Sequence, residues 1–160
     1  MISREKIIEK LISDGTRIVK LFSSLTIDEW TSTVYDGENN WQVKDILAHF
    51  ISAEQSFIVL FDNIRINGIG VNDDFTTDAY NNAQVKKLKQ TAAEDLIDLF
   101  IKTREATINW VIQIPESDFE IVGRHPALGE TKIINMVRMI TIHNQMHIKD
   151  LQDSIGNNKK

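Results

Sequence analysis

The sequence predicts an all-α protein built as a four-helix bundle. Four stretches place apolar residues at i, i+3 and i+4 spacing, and no stretch of comparable length alternates strictly as a half-buried strand does. The only two prolines, Pro115 and Pro126, both fall between the third and fourth stretches. A length of 160 residues fits one domain spanning 1–160, with 42% hydrophobic residues to fill its core.

The first helical stretch runs from about Ser3 to Phe22, with Ile7, Leu11, Ile18 and Phe22 on its apolar stripe and Gly15 as a local weak point. The second covers Val43 to Arg65 through Ile46, Leu47, Phe50, Phe57 and Phe61. The third opens with Thr91-Ala92-Ala93-Glu94, the pattern of a capping box, and stops before Pro115. The fourth begins near Thr131, carries Ile133, Val137, Ile140 and Leu151, and ends at Gly156. The tail 156–160 is expected to fray. About 25 residues separate the second and third stretches, enough to return along a helix of roughly 34 Å. Those two helices can therefore run parallel across a long crossover, with a short helix over 79–89 inside it.

Charge and composition narrow the function. With 18 Lys and Arg against 23 Asp and Glu, the net charge is −5, which argues against a nucleic-acid partner. The absence of cysteine excludes disulfides, a catalytic thiol and thiolate metal sites, and points to a cytoplasmic setting. The longest apolar run, Phe57 to Phe61, is far too short to span a membrane. The N-terminal residues have no signal-peptide character. Met136, Met139, Ile142 and Met146 make the last helix apolar on more than one face, as a homodimer contact would.

The chemistry lies in the histidines. His143 and His147 are i, i+4 neighbours and share one helix face, in positions where the core stripe calls for apolar residues. His49 stands in the same relation to Ile46, Ala53 and Phe57. His49 lies roughly 10 Å into its helix and His147 roughly 12 Å from the end of the last one. Antiparallel packing would bring all three imidazoles to one depth. Buried imidazoles are costly unless satisfied, and a divalent metal would satisfy them. As core residues bonded within the bundle they would instead mark a scaffold.

The residues Trp41-Gln42-Val43-Lys44-Asp45-Ile46-Leu47-Ala48-His49 resemble the W-x-V-x-D-x-L-x-H opening of helix two in the DinB-like superfamily. His125-Pro126-Ala127-Leu128-Gly129-Glu130 is similar to its HP-x-LGE loop, and His143/His147 to its final H-x-x-x-H. Gln42 departs from the Ser or Thr that often caps the helix there. The resemblance implies an up-down-down-up bundle holding one divalent metal, nickel or zinc, on His49, His143 and His147. It also implies small-molecule chemistry, either metal-dependent hydrolysis or transfer and isomerisation with a low-molecular-weight thiol.

Three neutral imidazoles leave the ion its full charge and open positions. Such an ion lowers the pKa of a bound water towards 7, or stabilises a substrate thiolate. Asn144 follows His143, so the H-E-x-x-H glutamate is missing and no general base is evident. Thiol transfer asks less of the protein on that account. A non-catalytic metal-containing binding or stress protein is the alternative. Asp45 could orient His49 from one turn before it, or simply cap its helix. Glu54 and Asp150 read as solvated. Trp41 is near enough to wall the site, and His125 could line its mouth or be held by a loop hydrogen bond.

Overall fold

The computed structural model describes residues 3–37 and 40–157. Residues 158–160 of the tail expected to fray lie outside the described residues. Among the described residues six α-helices, one 3-10 helix and two small hairpins make up the fold. Helix α1 covers Arg4–Ser23, capped by Ser3. A single turn, α2 (Ile27–Trp30), follows a capping box between Thr26 and Glu29. The first hairpin pairs β1 (Thr33–Tyr35) with β2 (Trp41–Gln42). Then come α3 (Val43–Asn67), α4 (Thr77–Lys87) and α5 (Ala93–Gln113). A 3-10 helix over Glu116–Glu120 leads into the second hairpin, β3 (Val122–His125) with β4 (Gly129–Lys132), and α6 (Ile133–Asn157) closes the chain.

Side-chain pairs give the helix directions. Phe50 meets Phe100 and Phe61 meets Trp110, so α3 and α5 run parallel. Arg4 bonds the carbonyls of Ile112 and Ile114 while Arg104 bonds that of Leu11, which makes α1 antiparallel to α5. Phe50 lies against His147 and Phe57 against His143, so α6 opposes α3. The order is up, down, down, up, with α4 inside the crossover. Among the described residues, no helix is long and apolar enough to cross a membrane.

Three boundaries differ from the sequence reading. The Thr91–Glu94 capping box does not form: α5 starts at Ala93 behind Ala92 with no side-chain cap. The Thr91 amide instead bonds the Leu88 carbonyl at 3.0 Å, so Thr91 closes the turn after α4. Thr131 belongs to β4, opposite Gly123, and α6 begins two residues later. Helix α6 also continues one residue past Gly156. Gln42 still starts α3 without a hydroxyl cap, because Asp45 Oδ2 accepts its backbone N–H at 2.9 Å.

A polar layer cuts the core in two. One apolar cluster gathers Phe22, Leu47, Phe50, Phe100 and Leu151; the other gathers Leu11, Phe61, Val111, Met136 and Ile140. Between them every main helix contributes a buried polar side chain: Asp14, Glu54, Arg104 with Thr107, and Asn144. Arg104 donates to Glu54 at 2.5 Å and to Asp14 at 3.3 Å, and Thr107 donates to Glu54 at 2.9 Å. Glu54 is only 1% exposed, so the expectation that it is solvated is wrong. Its charge is paired and hydrogen-bonded, which is what makes burial tolerable. Gly15 has its reason here. A Cβ on it would stand 3.1 Å from the Cγ of Arg104, the side chain that crosses the helix at that point.

Candidate metal centre

The three histidines expected on one level do meet. His49 Nε2 lies 2.9 Å from His143 Nε2, which is 3.2 Å from His147 Nε2. Antiparallel α3 and α6 bring this about: His49 stands on the second turn of α3 and the histidine pair faces it from α6. Among the described residues these three form the group that could hold a metal ion.

The outer nitrogens explain why the inner ones converge. Tyr35 Oη donates to Asp150 Oδ2 at 2.6 Å, so its oxygen is left to accept the His147 Nδ1 proton, at 2.7 Å. Asn144 Nδ2 donates to Asp14 at 3.2 Å, which turns its Oδ1 towards His143 Nδ1 at 3.4 Å. Both contacts favour the tautomer protonated at Nδ1 and put the Nε2 lone pair on the shared point. His49 Nδ1 is buried without a partner. Lone pairs aimed at one point repel each other unless a cation lies between them. Nitrogens about 2.0–2.1 Å from a common ion lie roughly 2.9 Å apart across a right angle and roughly 3.3 Å across a tetrahedral one. The His49–His143 and His143–His147 separations fall in that range, and the three ligand atoms lie within 4.8 Å of one another, so the group could hold a divalent metal.

Electrostatics agree with a neutral donor set. Burial, reinforced by the other two histidines, holds His49 well below the usual imidazole pKa. Burial, with His147 close by, brings His143 down to about 4. Burial lowers His147 against the opposing pull of the Asp150 carboxylate. Burial likewise pushes the Tyr35 hydroxyl up, and Asp150 adds to this, so the phenol keeps its proton. Histidines neutral in the fold but protonated once unfolded make stability pH-dependent. Above about pH 6.5 both states are neutral and nothing is lost. On acidification the unfolded chain takes up protons that the fold refuses, so stability falls, with His143 itself titrating in the fold only at about pH 4. The urea midpoint of metal-free protein is therefore expected to drop steadily from pH 7 to pH 4.5. A flat profile would show the histidines to be solvated.

The other expected site residues fall into different roles. Asp45 is engaged with the Gln42 amide, so it caps α3 and is not the partner of His49. Trp41 lies beside the histidines: its ring is 5.0 Å from that of His49, and its Nε1–H donates to Asn82 at 2.8 Å. His125 ends β3, buried, its Nδ1 accepting the Ala127 amide at 3.1 Å and its ring 5.3 Å from Phe57. It stands outside the converging group, and its Nε2 has no partner. His125→Ala is accordingly expected to retain full metal content by elemental analysis. A loss comparable to that of a ligand variant would make the centre a four-histidine one.

Sequence reasoning missed Tyr35 and the use of Asp150. Tyr35 is distant in sequence from every ligand, and Asp150, three residues after His147, acquires its role only because the β1–β2 hairpin folds Tyr35 over α6. Asp150 is exposed yet tied to Tyr35.

Two cavities flank the His49–His143 pair. One, of about 420 Å³, is lined by polar groups including Tyr35, Asp36, Asn40, Asp78 and Asn82, together with His147. The other, of about 400 Å³, lies towards His125 and the crossover.

Comparison with known proteins places this geometry. No curated protein matches the sequence. YfiT from Bacillus subtilis, described as a probable metal-dependent hydrolase with an unusual four-helix bundle topology, has a similar structure. Its TM-score is 0.79 at 14% identity, over 99% of this chain and 91% of that one. The colibactin self-resistance protein ClbS, solved in complex with double-stranded DNA, superposes with a TM-score of 0.71 at 11% identity, over 99% of this chain and 96% of that one. The ClbS complex corrects the expectation of no nucleic-acid partner. Nucleic-acid binding is possible in this fold, and a net charge of −5 sums over a surface without excluding a local contact. The sequence matches the DinB superfamily over residues 7–151, and the chain belongs to that superfamily.

Proposed function

We propose that this protein is a metal-dependent enzyme acting on a small molecule, with His49, His143 and His147 holding one divalent ion, nickel or zinc. The observation that carries the reading is the convergence of three histidines on one point, two of which, His143 and His147, have ring partners that favour the metal-binding tautomer. Such an ion supplies Lewis acidity, lowering the pKa of whatever water or thiol reaches it.

The protein's own residues do the rest. Asp150 and Tyr35 fix the His147 ring, and Asn144, anchored to Asp14, fixes that of His143. Trp41 screens His49 from solvent on the hairpin side. The polar cavity of about 420 Å³ favours a polar co-substrate over a lone water, which needs only about 30 Å³. A low-molecular-weight thiol fits that room, and its attack on an electrophile needs little further proton removal. Hydrolysis is the second reading, favoured by the likeness to YfiT and by Asp36 and Asp78 in the cavity wall, which could carry protons.

The cobalt-substituted protein distinguishes them. Titration with low-molecular-weight thiols is expected to give a near-ultraviolet sulfur-to-cobalt charge-transfer band. No band with any thiol, alongside measurable ester or amide hydrolysis, would move the assignment to hydrolase.

A further inference from the structure

The two cavities beside the histidines differ in chemistry. The one towards His125 is walled by Ala53, Phe57, Leu60, Val71 and Met139, with His49 and His143 in the same lining. Its mouth carries apolar side chains in the open: Val59 is 63% exposed, Ile69 60%, and Phe75 and Tyr80 over a third. Phe75 packs on Tyr80, which bonds Ser56, but Val59 and Ile69 are left to solvent. Val59 and Ile69 fall outside both core clusters, whereas Phe57 and Leu60 behind them pack against one. Exposed apolar side chains gathered round a cavity mark a place where a ligand is desolvated.

We propose that this cavity receives the apolar body of the substrate, so that the substrate class is a largely hydrophobic small molecule whose one polar, reacting group is presented at His49 and His143. This rests on the metal-dependent reading given above. The volume of about 400 Å³ falls within the range of small-molecule pockets and is too small for a folded partner. The polar cavity on the opposite side of the histidines is left to the second reactant. Thr77 and Asn81 of α4 line both cavities, so the crossover helix forms part of the partition between them. Helix α4 is itself held by polar contacts to the body: Trp41 to Asn82, and Ser56 to Tyr80 at 2.8 Å.

The test is a chain-length series of metal-chelating alkyl hydroxamates (acetyl, butanoyl, hexanoyl, octanoyl) binding to the metal-loaded protein, followed by calorimetry. Affinity is expected to rise roughly three- to fourfold per methylene until the cavity is filled. Met139→Trp, which fills the cavity, and the exposed rim pair Val59→Asp/Ile69→Asp, which carries no folding risk from the core, are each expected to flatten the series. Acetohydroxamate should bind both variants as it binds the wild type. A flat wild-type series with acetohydroxamate bound would overturn the proposal and leave the metal reading standing. Failure of every hydroxamate to reach the metal would instead remove the metal reading. Hexanol, octanol and decanol titrated into metal-free protein then decide the cavity alone: binding that grows with length and is lost in Met139→Trp supports it, and no binding overturns it.

Discussion

Replacing His147 with Ala is expected to strip most of the metal from the purified protein while leaving it folded. The wild type should carry close to one divalent ion per chain, and the variant a small fraction of that after dialysis against a chelator. Two imidazoles remain in the variant, and two ligands hold an ion weakly against chelation. The fold should survive because His147 is only part-buried and because removing one of three converging lone pairs relieves their repulsion. His49→Ala and His143→Ala should behave alike. Tyr35→Phe is expected to fall between, with affinity lowered by about 10–100-fold, since it frees the His147 ring without removing a ligand. Elemental analysis checks all four, and full occupancy in His147→Ala would remove the assignment.

The second large effect is on stability. Glu54→Ala is expected to destabilise the protein by about 3–5 kcal/mol, the cost of leaving a buried charge without its partner. Arg104 would remain buried, 4% exposed, with Asp14 as its remaining carboxylate, and Thr107 would lose its acceptor. For a chain of this size that amounts to a fall in Tm on the order of 6–20 °C. Metal content should be unchanged, because Glu54 bonds Arg104 and Thr107 rather than the histidines. A loss under about 1 kcal/mol would show that water reaches the layer.

The contrast between these two residues shows what was legible beforehand. His49, His143 and His147 each interrupt an apolar stripe at helical spacing, and distance from the helix ends put them on one level. Glu54 interrupts a stripe in the same way, one helical turn and a residue beyond His49, yet it read as solvated. A lone carboxylate in a helix signals burial only when its cation is known, and Arg104 lies fifty residues away.

The main helices were legible because their periodicity and stops are local properties of the chain, and the family was legible through motifs that each occupy one short stretch of sequence. The sequence also put His49, His143 and His147 on one level, because i, i+4 spacing and helix depth are arithmetic along the chain. The capping at Thr91, lost to the turn after α4, and the pairing of Asp14, Glu54 and Arg104 across three helices depend instead on how the elements pack together. The tertiary structure alone brought Tyr35 to His147 and Asp150 and set a polar and an apolar cavity beside the histidines. The reason is physical: contacts between distant elements depend on how hairpins and crossovers fold back. Those returns follow from the packing of the whole bundle, which no local spacing records.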